Sequence, residues 1–231
     1  MRQAFTMRLI ALLASFVLCL SGAYGKEYGH WDARRILTKT ETPSGMRHGI
    51  DLQYLDQMLN DLAGHARNYP PSFESEQDRQ RATQDAGMLS GMLDILVNGP
   101  SPSPEILFRA AFVNAIAHNL RIPGAADKAA AIYQRLLTIA PDHPRTNHHY
   151  GMFLAGTARL RESIPYLEKA WAGGTLDAAY SLAMVHLGLG DKVKALDYLE
   201  RYEARAPAGT DVSRIIEAIK SGRVEIRREE K

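Results

Sequence analysis

The chain has 231 residues, of which 45% are hydrophobic and 23% charged, a globular composition long enough for one extended core. Its net charge of +2 includes Arg2 and Arg8; without residues 1–25 the basic and acidic residues balance, which removes the electrostatic case for nucleic acid. The single cysteine, Cys19, lies in the first apolar run, so a disulfide framework, a thiol nucleophile and a thiolate metal site are excluded from the rest of the chain.

Arg2 and Arg8 precede the apolar run Leu9–Leu20, in which Ser15 is the one polar residue, and the small-residue stretch Ser21-Gly22-Ala23-Tyr24-Gly25 follows it. This is the pattern of a secretory signal peptide over 1–25. As a helix the run rises only about 18 Å, short of the ~30 Å hydrocarbon core, so no stable membrane span is expected after its removal. Cleavage after Gly25 is preferred, and Ala23 also satisfies the small-residue rule. Leu18 stands where a lipoprotein signal needs a small residue before Cys19. The protein is expected to be exported: periplasmic if it comes from a Gram-negative bacterium, secreted otherwise.

Residues 26–48 show no clear period and contain the polar run Thr38–Gly45, which predicts a flexible leader arm. Trp31 within it is a candidate to dock on the body, because a lone exposed Trp is unusual. An N-terminal helical hairpin is expected over 49–98. Its first helix, Ile50 to Ala66, carries Leu52, Leu55, Leu59, Leu62 and Ala66 at spacings of three and four, one stripe of a helix. Asn68-Tyr69-Pro70-Pro71 ends it. The second helix opens at Ser75 with Asp78 at capping-box spacing and runs to Val97. A short proline loop predicts that the two pack antiparallel. The run Asn98–Pro104 separates this hairpin from the rest of the chain.

From residue 105 to 207 the sequence repeats itself at steps of 34 and 32. Ala129, Ser163 and Ala195 align; so do Ala117, Gly151 and Ala183 upstream, Gly124, Ala158 and Gly190 at the turns, and Tyr133, Leu167 and Leu199 downstream. A period of this size predicts stacked helical pairs, with units at about 110–143, 144–175 and 176–207. Small residues are needed where two helices cross closely, and large ones fill the flanking gaps. A last helix over 208–222, capped by Thr210 or Asp211 and carrying Val212, Ile215, Ile216 and Ile219, is expected to cover the open end. Residues 223–231 form a charged tail.

These three units resemble the tetratricopeptide repeat. The resemblance implies an all-α fold, a right-handed superhelical array of antiparallel helix pairs (a solenoid). Two departures stand out: no unit keeps the aromatic residue near the start of its first helix, and Gly173-Gly174-Thr175 replaces the proline that closes the second unit. In that family the concave groove is lined by the first helix of each unit. Carried over by position, the groove would hold Asn114, His118 and Arg121, then Arg145, His148 and Met152, then Asp177, Tyr180 and Met184. Met and aromatic side chains give adaptable contact area, and Asn and Arg bond carbonyls or carboxylates, so the implied partner is a protein or peptide of unknown identity.

No catalytic motif is present: neither H-E-x-x-H, nor a phosphate-binding glycine loop, nor G-x-S-x-G. The chain is therefore not expected to be an enzyme or to need a cofactor. His143 and His148 lack the three- or four-residue spacing that puts two imidazoles on one helix face, and adjacent His148 and His149 diverge by about 100°, so no metal site is expected. His186 is expected in the core. The expected function is that of an exported helical-repeat scaffold or adaptor holding a protein or peptide in its concave groove, with two alternatives beside it: a self-assembling structural protein of the envelope, and a histidine-using metal-binding protein or enzyme. Nothing in the residues sets the oligomeric state.

Overall fold

The computed structural model describes residues 27–206 and 212–223; the expected signal peptide with its cleavage site, Thr210, Asp211 and nearly all of the charged tail lie outside them. Among the described residues the protein is mostly helical. Nine helices follow a 3-10 turn (Ala33–Ile36) and a two-stranded antiparallel sheet, β1 (Leu37–Thr42) and β2 (Gly45–Ile50).

The first finding corrects the expected arm over 26–48. Its polar run folds into the β-hairpin, Leu37 opposite Ile50 and Thr42 opposite Gly45. The amide of Asp51 donates to the carbonyl of Ile36 at 2.8 Å and closes its base. Ahead of the hairpin, Tyr28 is fully buried. Its hydroxyl donates to Asp85 at 2.9 Å, and its ring stands edge-on to His65 and Phe73. Trp31 does dock: its indole N–H and the Gly29 amide both donate to Asp61 Oδ2, at 2.8 and 2.9 Å.

This segment also corrects the expected helical hairpin. Helix α1 (Leu52–Ala66) is capped by Asp51, and α2 (Glu76–Val97) by Ser75, whose hydroxyl accepts from the Asp78 amide. The Asp78 carboxylate does not reach back to complete the box; it pairs with Arg81. The two helices do not lie along one another. Asp61 and His65 belong to α1 and Asp85 to α2, so the Tyr28 segment is wedged between them, and the closest helix neighbour of both is α3 (Pro104–Asn119). Leu52, expected on the buried stripe, is 40% exposed, and Met58 is buried. The Arg135 guanidinium on α4 (Ala125–Ile139) donates to the carbonyl of Val97 at 2.6 Å and tethers the end of α2.

Six helices then pack as adjacent pairs: α3 on α4, α5 (Pro144–Gly156) on α6 (Leu160–Ala172), and α7 (Asp177–Gly188) on α8 (Lys192–Glu203). The small residues sit at the crossings. Ala117, Ala129, Ser163, Ala183 and Ala195 are all inaccessible, and a Cβ on Gly151 would stand 2.6 Å from Leu167 Cγ, so α5 approaches α6 too closely for any side chain there. Tyr133, Leu167 and Leu199 fill the neighbouring layer, fully buried.

The turn position repeats as well. Gly124, Ala158 and Gly190 all have positive φ, at 74°, 62° and 85°. Pro123 cannot be preceded by helical backbone without a clash, so α3 stops a turn earlier than α5 or α7 and Arg121 also enters the left-handed region, φ 63°. Ala158 carries a Cβ in that region, at a cost of about 1–2 kcal/mol that glycine avoids. Part of the gain from removing it is cancelled by the greater freedom of glycine in the unfolded chain. Ala158→Gly is therefore expected to raise stability by up to about 1 kcal/mol, seen in a thermal melt as ~2–4 °C; an unchanged or lower midpoint would contradict this reading of the turn.

Helix α9 (Ser213–Lys220) packs on α8. Val212, Ile216 and Ile219 are buried with Ala183 and Leu199. Its N-cap is Val212, and no side chain of the described residues caps it. None of the helices among the described residues is long and apolar enough to cross a membrane.

Candidate functional site

Two cavities lie side by side along the first helices of the pairs. The first, 330 Å³, is lined by Phe112, Ile116 and His118 of α3, Tyr133 of α4, His149, Met152 and Phe153 of α5, and Arg67, Asn68 and Tyr69 of the loop after α1. The second, 400 Å³, lies between α5 and α7 and is lined by Met152, Ala155, Tyr180, Ser181 and Met184 together with Asn68. Met152 and Asn68 belong to both. The cavities therefore form one groove across α3, α5 and α7, with the loop as a wall over its first half.

Asn119 holds that wall in place. Its amide donates to the carbonyls of Ala66 and Arg67, each at 2.9 Å, and Arg121 donates to the Tyr69 hydroxyl at 2.9 Å. The loop residues are missing from any reading based on the repeats, because they precede the first unit and carry no period.

Four of the nine groove residues implied by the repeat resemblance line these cavities: His118, Met152, Tyr180 and Met184. The equivalent positions 118, 152 and 184 share one face. Arg121 reaches the groove indirectly, through Tyr69. His148 is buried behind the second cavity, its Nε2 3.1 Å from Ser181 Oγ. Asp177 is exposed at the start of α7, close enough to oppose the downward shift of the His148 pKa that burial causes. Arg145 is exposed, with its guanidinium 3.9 Å from the centroid of the Phe108 ring.

Asn114 is a correction. It is inaccessible, accepts from the Ser90 hydroxyl at 2.8 Å and donates to the carbonyl of Ala110. Ser90 is on α2, which packs against α3 on that side; the first unit has a neighbour there that superposing the units does not reveal.

Chemically the groove is apolar with a basic rim. Among the described residues no aspartate or glutamate lines either cavity. Arg67 forms no ion pair and Asn68 no side-chain hydrogen bond among the described residues. His149 stands edge-on to Phe108 and Phe112; burial first, then the positive charges of His148, Arg145 and Arg67, push it down to about 3. Its ring is uncharged at neutral pH. Burial also raises the Tyr133 phenol well above its ordinary range, and that buried hydroxyl has no hydrogen-bond partner among the described residues.

The Ser181 hydroxyl lies within hydrogen-bond reach of both His148 Nε2, at 3.1 Å, and the carbonyl of Asp177, to which it can donate at 3.0 Å. A further cavity of 340 Å³ between the N-terminal segment and α2 includes Asp32, Arg34, Arg81 and Asp85, but these are already engaged: Arg34 with Asp32, Arg81 with Asp78, Asp85 with Tyr28. His186 is buried and stacked on Tyr198. No three His, Cys, Asp or Glu residues among the described ones are placed to hold a metal ion.

No protein-family model matches the chain, and no curated protein matches it.

Proposed function

We propose that the protein is an exported helical-repeat scaffold or adaptor that holds a protein or peptide partner in the groove across α3, α5 and α7. The observation that carries this reading is the continuity of the two cavities through Met152 and Asn68. A surface of that form suits an extended chain better than a small rigid ligand, since methionine and aromatic side chains grip by contact area and adapt to sequence. The tetratricopeptide-like solenoid is part of the proposal. Supporting it are the small residues at each helix crossing and the left-handed turn residue recurring at Gly124, Ala158 and Gly190. Export rests on the pattern of residues 1–25, and places the partner in the periplasm or outside the cell.

Met152 and Tyr180 are only partly buried, so truncating them trims the edges of the apolar clusters they pack against and leaves the fully buried layers in place. A central anchor of a complex is worth ~2 kcal/mol or more, roughly thirtyfold in affinity. Met152→Ala with Tyr180→Ala is therefore expected to keep the helical circular-dichroism spectrum while lowering retention of native partners severalfold in affinity capture from the exported fraction. Wild-type retention by a folded double variant would remove the groove from consideration.

Self-assembly is a second reading, favoured by one observation: Leu37, Met46 and Ile95 are 56%, 57% and 76% exposed at the hairpin end. Solution mass as a function of concentration separates it from the first.

A further inference from the structure

The first cavity differs from the second in ways that point to a particular ligand. It is richer in rings, with Phe112, Phe153, Tyr133 and the neutral imidazole of His149 around it, and Ile116 and Met152 complete its apolar lining. Walls of this kind favour a flat apolar body, which rings contact face-on or by their edges. Its volume of 330 Å³ lies at the lower end of the ~300–1,000 Å³ typical of small-molecule sites. That is room for one ring system and a short substituent.

The rim supplies the polar half. Arg67 contributes to the lining, and among the described residues it has no carboxylate partner and no acidic side chain lines the cavity to compete for it. A guanidinium in that situation matches a carboxylate, with two parallel hydrogen bonds.

We propose that the first cavity binds an aromatic carboxylate, its ring held among Phe112, His149 and Phe153 and its carboxylate on Arg67. This chemistry has two sources, a free aromatic acid and the C-terminal aromatic residue of a peptide. In the second case the chain would leave past Met152 and Asn68 toward Tyr180. The inference rests on the groove being a binding surface and names the chemistry of its first half.

The test uses the mature full-length protein. Titration with 4-hydroxyphenylacetate, and separately with a short acetylated peptide ending in Phe, is followed by calorimetry and by the imidazole proton signals of His118 and His149. At least one is expected to bind saturably and shift those signals. Arg67→Ala should weaken that binding at least tenfold with unchanged melting at pH 7.5, because the side chain is exposed and forms no side-chain hydrogen bond or ion pair with a described residue. Amidating the peptide terminus should have the same effect. Gly156→Phe, at a lining position where an added Cβ meets nothing within 4 Å, should block the cavity. Binding of the free acid alone assigns a small-molecule site, and binding of the peptide alone assigns a chain end. If neither ligand shifts the histidine signals at millimolar concentration, or Arg67→Ala binds as the wild type does, the inference is wrong. Partner capture that still depends on Met152 and Tyr180 would then leave the scaffold reading standing.

Discussion

Removal of residues 212–231 is expected to lower the melting temperature by ~10 °C or more and to make the protein self-associate. Val212, Ile216 and Ile219 are buried against Ala183 and Leu199, with Tyr180, Met184, Leu187, Leu196, Tyr198 and Tyr202 packed around them. Burying three side chains of that size contributes roughly 5–8 kcal/mol of apolar transfer energy, comparable to the net stability of a whole domain. Without α9, the face made by α7 and α8 becomes an open apolar patch. The effect reaches the groove as well, because Tyr180 touches both: its ring lies 5.6 Å from that of Tyr202 and its side chain lines the second cavity. Ile219→Asp tests the same contact without shortening the chain, since it buries an unpaired carboxylate where 3% of the residue is exposed. Calorimetry and light scattering check both variants. A truncated protein that stays monomeric and melts with the wild type would show that α9 does not cover that face.

The paired helices were legible because their demands are local. Two helices that cross closely need Ala, Gly or Ser at the contact, and that need recurs at every pair, so Ala117, Gly151 and Ala183 announce themselves by spacing alone. The N-terminal region has no such signal. The apolar residues of β1 and β2 are Leu37, Met46 and Ile50, with Lys39, Glu41 and His48 between them on the same face, and five of six β2 residues are exposed, so the apolar alternation that marks a half-buried strand never arises. Tyr28 is a single aromatic whose burial depends on Asp85 and His65, residues 57 and 37 positions away, and nothing periodic connects them. The groove divides along the same line. His118, Met152 and Met184 follow from repeat phase; the wall at Arg67–Tyr69 depends on Asn119 folding a loop back over α3, and Asn114 is buried because α2 occupies the flank that a free first unit would leave to solvent.

Acid is expected to unfold the protein through its histidines before most carboxylates are protonated. His149 packs against Phe108 and Phe112, faces His148, and has the Arg145 and Arg67 guanidinium groups nearby; burial and these charges hold its folded pKa at about 3. An unfolded histidine titrates near 6.5. As pH falls below that value the unfolded chain takes up a proton that the folded site refuses, so folding loses about 1.4 kcal/mol per pH unit from this one group, down to the folded pKa. His148 and His186 shift in the same direction, again chiefly through burial, and steepen the first part of the loss. Asp85 opposes it, since burial raises its carboxyl and the folded state then binds a proton ahead of the unfolded one. Replacing the imidazole by a ring that cannot titrate isolates the His149 contribution. His149→Phe keeps an aromatic group beside Phe108 and Phe112, and its urea midpoint, whatever its value at pH 7.5, should fall less steeply than that of the wild type between pH 6.5 and 4. The measurement is the difference in unfolding free energy between the two proteins at each pH, which should grow as pH is lowered. A difference that stays constant from pH 7.5 to 4 would mean that His149 is protonated as readily in the folded protein as in the unfolded chain, and that the wall of the first cavity is charged in mild acid.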